Sequence, residues 1–248
     1  MSATREPATF EALSDLRVES STLIEGLPGH GLVASIAVDQ VTKQLALEHF
    51  GNVYSESFPP VTTFEDGRVR DLVRVYAGTD PAVMTLQSDL PLPQESFAPL
   101  SGAIVDGLSA HFEEAIFLAG VSAESKQSHG EVFGIATTDD VERKLEAAGV
   151  DLMEGNGLVG GVTGALVSDC YHAEVPAAVL VVKSNPYLPD PGAARSVIEN
   201  ALEPLVDFDI DTTELEEQAD EIQRRKSQIA RQLQQQQQQK PQSPSMYQ

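Results

Sequence analysis

Six residues, Gly26-Leu27-Pro28-Gly29-His30-Gly31, hold the densest candidate chemistry in the chain. Glycines that open a helix let backbone amides close on a phosphate, and the histidine among them offers a base or a ligand. The spacing is Gly-x-x-Gly-x-Gly, the dinucleotide fingerprint in reverse order, and no Lys-Ser or Lys-Thr follows to complete a P-loop. A tight turn relieved by glycine explains the segment equally well, so Gly29, His30 and Gly31 stand as a candidate ligand loop. Gly120-Val121-Ser122-Ala123-Glu124 approaches a nucleophile elbow but ends in Glu where Gly is required. His111, His129 and His172 are available as bases, yet nothing in the sequence joins one of them to Ser122 and an acid. The five histidines show neither His-x-x-x-His nor Glu-x-x-His spacing, and Cys170 is the sole cysteine. No metal site is expected, and no cofactor is implied.

These loops need a scaffold, and two patterns alternate to build one. Short apolar or β-branched runs at 18–24, 69–76, 82–86, 115–120 and 177–182 read as strands. Those at 82–86, 115–120 and 177–182 are almost continuously apolar, as strands buried on both faces must be. Helical patterns lie at 32–50, 95–112, 139–148, 158–172 and 191–205. Asp66-Gly67 between strand-like runs signals a hairpin. In Pro189-Asp190-Pro191, Asp190 reads as an N-cap with proline in the first helical turn. Gly155-Asn156-Gly157 and the glycines at 160, 161 and 164 surround another helix start, where small residues allow close packing or an oxyanion hole. The expected fold is α/β, with a mostly parallel central sheet flanked by helices and one antiparallel hairpin.

Composition removes whole classes of function. The chain has 248 residues, 38 acidic against 16 basic, for a formal net charge of −22. That sign opposes binding to a phosphate backbone or an anionic membrane, so neither nucleic acid nor membrane is expected as a partner. Six of the sixteen basic residues are lysine, and tryptophan is absent. An acidic, lysine-poor chain suits a high-salt cytoplasm, where the Debye length shrinks to about 3 Å near molar salt and self-repulsion costs little. A lone cysteine suits a reducing compartment, and the first ten residues do not read as a signal peptide. A cytoplasmic protein is expected.

The organisation divides at 206. Residues 1–206 form the α/β domain, 207–233 an acidic-to-basic amphipathic helix, and 234–248 a Gln/Pro-rich flexible tail ending in Met-Tyr-Gln. Eight acids and no base lie between Asp207 and Glu221, and Thr213-Glu214-Leu215-Glu216 reads as a capping box. Leu215, Ala219, Ile222, Lys226, Ile229 and Leu233 make a heptad seam interrupted by one lysine. Such a seam serves either packing on the parent domain or oligomerisation, with Lys226 setting register. The fifteen residues past Leu233 have a typical reach of about 20 Å.

Taken in order, Gly26 to Val33, Pro59-Pro60 and Pro189 to Ala194 resemble the proteasome assembly chaperone family of archaea and eukaryotes. The resemblance runs over about residues 18 to 222, including the helix start at 157–166 and the acidic stretch at 206–215. It implies an α/β fold related to nucleoside phosphorylases, self-assembly, no enzyme activity, and proteasome core-particle subunits as partners. The salt-adapted composition further suggests a haloarchaeal member. Met246, Tyr247 and Gln248 match the hydrophobic-Tyr-X motif by which proteasome partners resemble one another. Such a tail offers a terminal carboxylate to a lysine between α-subunits, with the tyrosine filling an apolar groove. The leading expectation is a non-enzymatic, homo-oligomeric chaperone or activator that binds α-subunits through this tail. Two alternatives stand beside it. One is a small-molecule-binding or hydrolytic enzyme using the Gly29, Ser122 and Gly157 loops, and the other a self-associating scaffold with an inert tail.

Overall fold

The computed structural model describes residues 8–238. In chain order the strands are β1 Thr9–Ala12, β2 Ser21–Gly26, β3 Glu48–Tyr54, β4 Thr63–Glu65, β5 Arg68–Arg70, β6 Val73–Thr79, β7 Ala82–Ser88, β8 Phe112–Ser122, β9 Val132–Ala136 and β10 Ala177–Ser184. The helices are α1 Val33–Gln44, α2 Phe97–Leu108, α3 Asp139–Ala147, α4 Gly161–His172, α5 Pro191–Val197, α6 Glu203–Val206 and α7 Thr213–Gln238. Eight strands form one sheet in the order β1-β3-β6-β7-β2-β8-β10-β9, and β4 with β5 makes a separate ribbon.

The four central strands run parallel, as continuous apolar runs require. Both flanks are antiparallel: β1, β3 and β6 join β7 on one side, and β9 closes the other. The sheet is therefore mixed, with more antiparallel pairing than the sequence pattern suggests.

Helices cover both faces. Leu100, Ile104 and Leu108 of α2 and Leu166 and Cys170 of α4 fill one core against Leu23, Val75 and Phe117. On the other face Val33, Ala37, Val38 and Val41 of α1 join Ala193, Ala194 and Val197 of α5 against Ile24, Leu118 and Leu180. Successive strand residues Leu23 and Ile24 thus enter opposite cores, the two-residue period expected of a doubly covered strand.

Several expected elements move. The helix expected over 32–50 stops at Gln44, because Ala46 takes a left-handed φ of 48° and the chain turns into β3. Phe50 and Val53 then bury in the sheet. The run at 69–76 divides into β5 and β6. The helix expected at 191–205 forms as α5 and α6, joined through a wider turn at Ile198–Leu202. The capping box at Thr213 does not form: helix α7 opens one residue earlier on Thr212, whose carbonyl accepts from Glu216 N. The Asp211 carboxylate accepts from Thr213 N at 2.9 Å. The Thr213 hydroxyl foremost, and then its backbone N–H, hold Asp211 below its ordinary value, as suits a carboxylate at a helix N-terminus.

The segment after 206 is joined to the α/β body. Ile210 and Leu215 are buried in the core beneath α1 and α5, and Arg195 of α5 pairs with Glu216 at 3.3 Å. At its far end α7 runs on to Gln238 and takes in glutamines assigned above to the flexible tail. Glutamine is a good helix former, so the tract extends the helix.

Candidate functional site

The Gly26–Gly31 loop lies where β2 ends, at the rim formed by the C-terminal ends of the parallel strands. This rim is where ligands bind in open α/β sheets. Gly31 has φ 63° and is pressed against the β10–α5 loop: a Cβ there would meet Asn185 O at 2.7 Å. Asp190 N donates to Gly31 O at 2.9 Å. A Cβ on Gly120 would meet His30 O at 2.5 Å. The glycines therefore allow three strand-end loops to touch, and contact explains them without a phosphate.

Asp190 organises the rim. Its Oδ1 accepts from Ala193 N at 3.1 Å, the helix cap expected from Asp-Pro. Its Oδ2 accepts from Asn185 N at 2.7 Å and lies 2.7 Å from His129 Nε2. Nothing in the sequence marks His129 as its partner, since 61 residues separate them. His129 is about one-third exposed, whereas Asp190 is buried.

An acid–histidine pair bonded to a serine would suggest a hydrolase, but among the described residues no hydrogen bond joins Ser122 to His129 or Asp190. Ser122 is exposed at the end of β8. Three other histidines bond elsewhere: His49 to Asn52, His111 to Val18 O and His172 to Ser168 O. His30 is exposed on its turn. Gly157 is exposed ahead of α4, with nothing within 4 Å of a Cβ built on it. Among the described residues, no three His, Cys, Asp or Glu side chains group as metal ligands. Cys170 is buried in the α4 core, and burial foremost pushes its thiol up to about 11.

One strongly perturbed group does sit at the rim, and the sequence reading overlooked it. Glu25, next to last in β2, is completely buried. Burial pushes its carboxyl up to about 8, against the opposing pull of hydrogen bonds from Leu27 N, Leu118 N and the Thr163 hydroxyl. Those bonds measure 3.0, 3.4 and 3.4 Å. Desolvation wins because two of the three bonds are long. The carboxyl ties β2, β8 and the first turn of α4 together beneath the loops. Being sealed from solvent, it is placed to hold structure and not to meet a substrate.

A polar hollow of about 330 Å³ opens beside the rim, between α1, the ends of β6 and β7, and the first turn of α7. Its cations are already paired. Arg74 binds Asp89 through Nη1 at 2.6 Å and Tyr76 through Nε at 3.1 Å, and Lys43 binds Asp39 at 2.5 Å.

The seam on α7 is used partly within the chain. Leu215 is buried in the body, so it is not free for a second copy. Ala219 and Ile222 are half-buried, Ala219 lying opposite Gly192 at the start of α5. The side chains of Lys226, Ile229 and Leu233 and the whole of Met246, Tyr247 and Gln248 lie outside the described residues. Among the described residues no helix is long and apolar enough to cross a membrane.

These features define a three-layer α/β protein with a closed strand-end rim and a long C-terminal helix leaving its body. The chain belongs to the PAC2 family, whose sequence profile matches residues 23–230. It is similar in structure to Pyrococcus furiosus PbaA, described as an archaeal homolog of proteasome-assembly chaperone. That match has a TM-score of 0.82 and 26% identity over 94% of this chain and 95% of the other. It shares its fold with Pyrococcus furiosus PbaB, described as an archaeal proteasome activator, at a TM-score of 0.79 and 21% identity over 90% and 99% of the two chains. The uncharacterized protein MJ0106 of Methanocaldococcus jannaschii is 29% identical over 224 residues, 90% of this chain and 91% of that protein.

Proposed function

We propose that this chain is a non-enzymatic proteasome-binding factor, an assembly chaperone or activator, that engages core-particle α-subunits through Met246, Tyr247 and Gln248. The observation that carries the reading is the likeness to PbaA over nearly the whole of both chains, within a shared family. The Met-Tyr-Gln sequence, which begins eight residues past the last described residue of α7, supplies the chemistry: an apolar side chain and a phenol. Self-association adds avidity, since tails presented together raise the effective concentration of the second and later anchors to about millimolar. Ala219, Ile222, Lys226, Ile229 and Leu233 form the seam for that association, with Leu215 holding the root of the helix on the body.

The test is co-purification with native α-subunits at molar salt. Full-length protein retains them; the chain lacking 246–248, or carrying Tyr247→Ala, loses them while unfolding at the same temperature. Retention by both altered chains refutes the tail mechanism. Assembly intermediates and peptidase rate, measured with and without the protein, separate a chaperone from an activator. The excess of 22 negative charges further supports adaptation to a salty cytoplasm. Melting temperature then rises from low to molar KCl as repulsion is screened, and a flat or falling profile rejects that adaptation.

A further inference from the structure

The β4–β5 ribbon is built inside out. Its register places Phe64 opposite Val69, with Thr63 opposite Arg70 and Glu65 opposite Arg68. Alternation therefore puts Phe64 and Val69 on one face and the four polar residues on the other. The polar face is the one tied to the body: Arg70 Nη2 binds Asp89 at 2.8 Å, Arg70 Nη1 binds Glu65 at 2.7 Å, and Arg70 is only 26% exposed. The apolar face looks outward, leaving Phe64 72% and Val69 76% exposed. A half-buried ribbon ordinarily turns its apolar face inward, and an exposed apolar patch on a projection marks a contact with another molecule.

Beside this knob lies a hole. A groove of about 380 Å³ is lined by Tyr54, Phe58, Val61 and Leu72, with Glu56 and Asp71 among its walls. Its charges complement the ribbon. Among the described residues Arg68 makes no ion pair, and neither the Glu56 nor the Asp71 carboxylate meets a cation; the Asp71 carboxylate accepts from Asn52 and Tyr54, while its backbone oxygen accepts from Arg74 Nη1 at 2.6 Å. Val61 and Asp71 flank the ribbon in sequence, so knob and hole share one surface. A two-fold axis through such a surface puts each knob into the other chain's hole and each Arg68 near the opposing acids.

The chain's own tail is a poor occupant. Lys43 feels both Glu65 of the ribbon and Glu214 of the first turn of α7, so the ribbon lies near the root of that helix. From there α7 runs 26 residues, about 39 Å at 1.5 Å per residue. Tyr247 stands nine residues beyond it, a span of at most about 32 Å fully extended.

We propose that the β4–β5 ribbon and the adjacent groove form an isologous interface between two copies of this chain. This contact is separate from the α7 seam and does not rest on the proteasome reading. The experiment measures the mass of the full chain by light scattering across a concentration series. Phe64→Asp with Val69→Asp lowers the oligomer by a factor of two in subunit number, while Tyr187→Asp, on another exposed loop, leaves it unchanged. Arg68→Glu and Glu56→Lys each weaken association about tenfold, and the two together restore it by exchanging the charges. The charge pair also serves if the double aspartate variant fails to fold. A monomeric wild-type chain, an unchanged mass in the aspartate variant, or no restoration by the exchange each overturns the proposal. Loss of α-subunit capture with an unchanged mass assigns the face to a different protein and likewise overturns it. The Tyr247→Ala chain keeps its oligomeric mass under this proposal, which separates its outcome from that of the tail mechanism.

Discussion

Glu25→Gln gives the sharpest test of how the rim is held. Glu25 is wholly buried and its carboxyl is raised from 4.5 to about 8. A group raised on folding binds its proton more tightly in the native state, so its contribution is fully present below pH 4.5. It is lost as pH rises through 8. At about 1.4 kcal/mol per pH unit the loss over that window is of order 5 kcal/mol. Glutamine is neutral throughout and lacks this dependence. The substitution carries a constant offset, because its amide NH₂ must sit near Leu118 N–H, which the native Oε2 accepts from at 3.4 Å. The offset cancels when stabilities are compared across pH. Urea unfolding of both chains at pH 5 and pH 9, at fixed molar salt, should show the variant gaining about 4 kcal/mol relative to wild type. The other titrating groups, common to both chains, largely drop out of that difference. A gain below about 1 kcal/mol would mean that Glu25 ionises in place without penalty, and the sealed-rim account fails.

Two further substitutions probe the same architecture. Asp190→Ala removes the α5 cap and the partner of His129 and Asn185 N, and should cost about 1–2 kcal/mol in urea unfolding. His129→Ala should cost less, because His129 is about one-third exposed. Leu215→Ala should cost about 2–5 kcal/mol because Leu215 is core. Ile222→Ala, at a half-buried position, should leave monomer stability nearly unchanged; equal costs would show that α7 is docked along more of its length.

The parts of the fold that were legible are those with one dominant force. Strands β7, β8 and β10 are buried on both faces, so their apolar runs announce them. Asp190-Pro191 marks a helix start through backbone chemistry alone, and Asp66-Gly67 marks a hairpin in the same way. Strand β3 was illegible because Glu48-His49-Phe50-Gly51 carries no clear alternation and its pairing with β1 and β6 is set by distant chain. Glu25 reads in sequence as a polar break in a strand; only packing from β8 and α4 makes it a buried acid. The apolar residues of the β4–β5 ribbon were visible, but their outward direction depends on Arg70 finding Asp89 nineteen residues away.

The two glycine- and proline-rich segments that carry much of the family resemblance prove to be halves of one contact. Gly31 O accepts from Asp190 N, and the absence of a side chain on Gly31 lets Asn185 O approach. Neither segment closes the rim alone, since the first supplies a left-handed turn and the second a cap, and each fills space the other leaves. This accounts for their looking like fragments of catalytic motifs when read separately. Glycines that would admit a phosphate instead admit a neighbouring loop, and the carboxylate that meets His129 through one oxygen caps a helix with the other. A rim closed in this way fixes α1 and α5, and α7 takes its root from both. The most economical use of the strand-end chemistry is therefore mechanical: it sets the direction in which the C-terminal helix leaves the body.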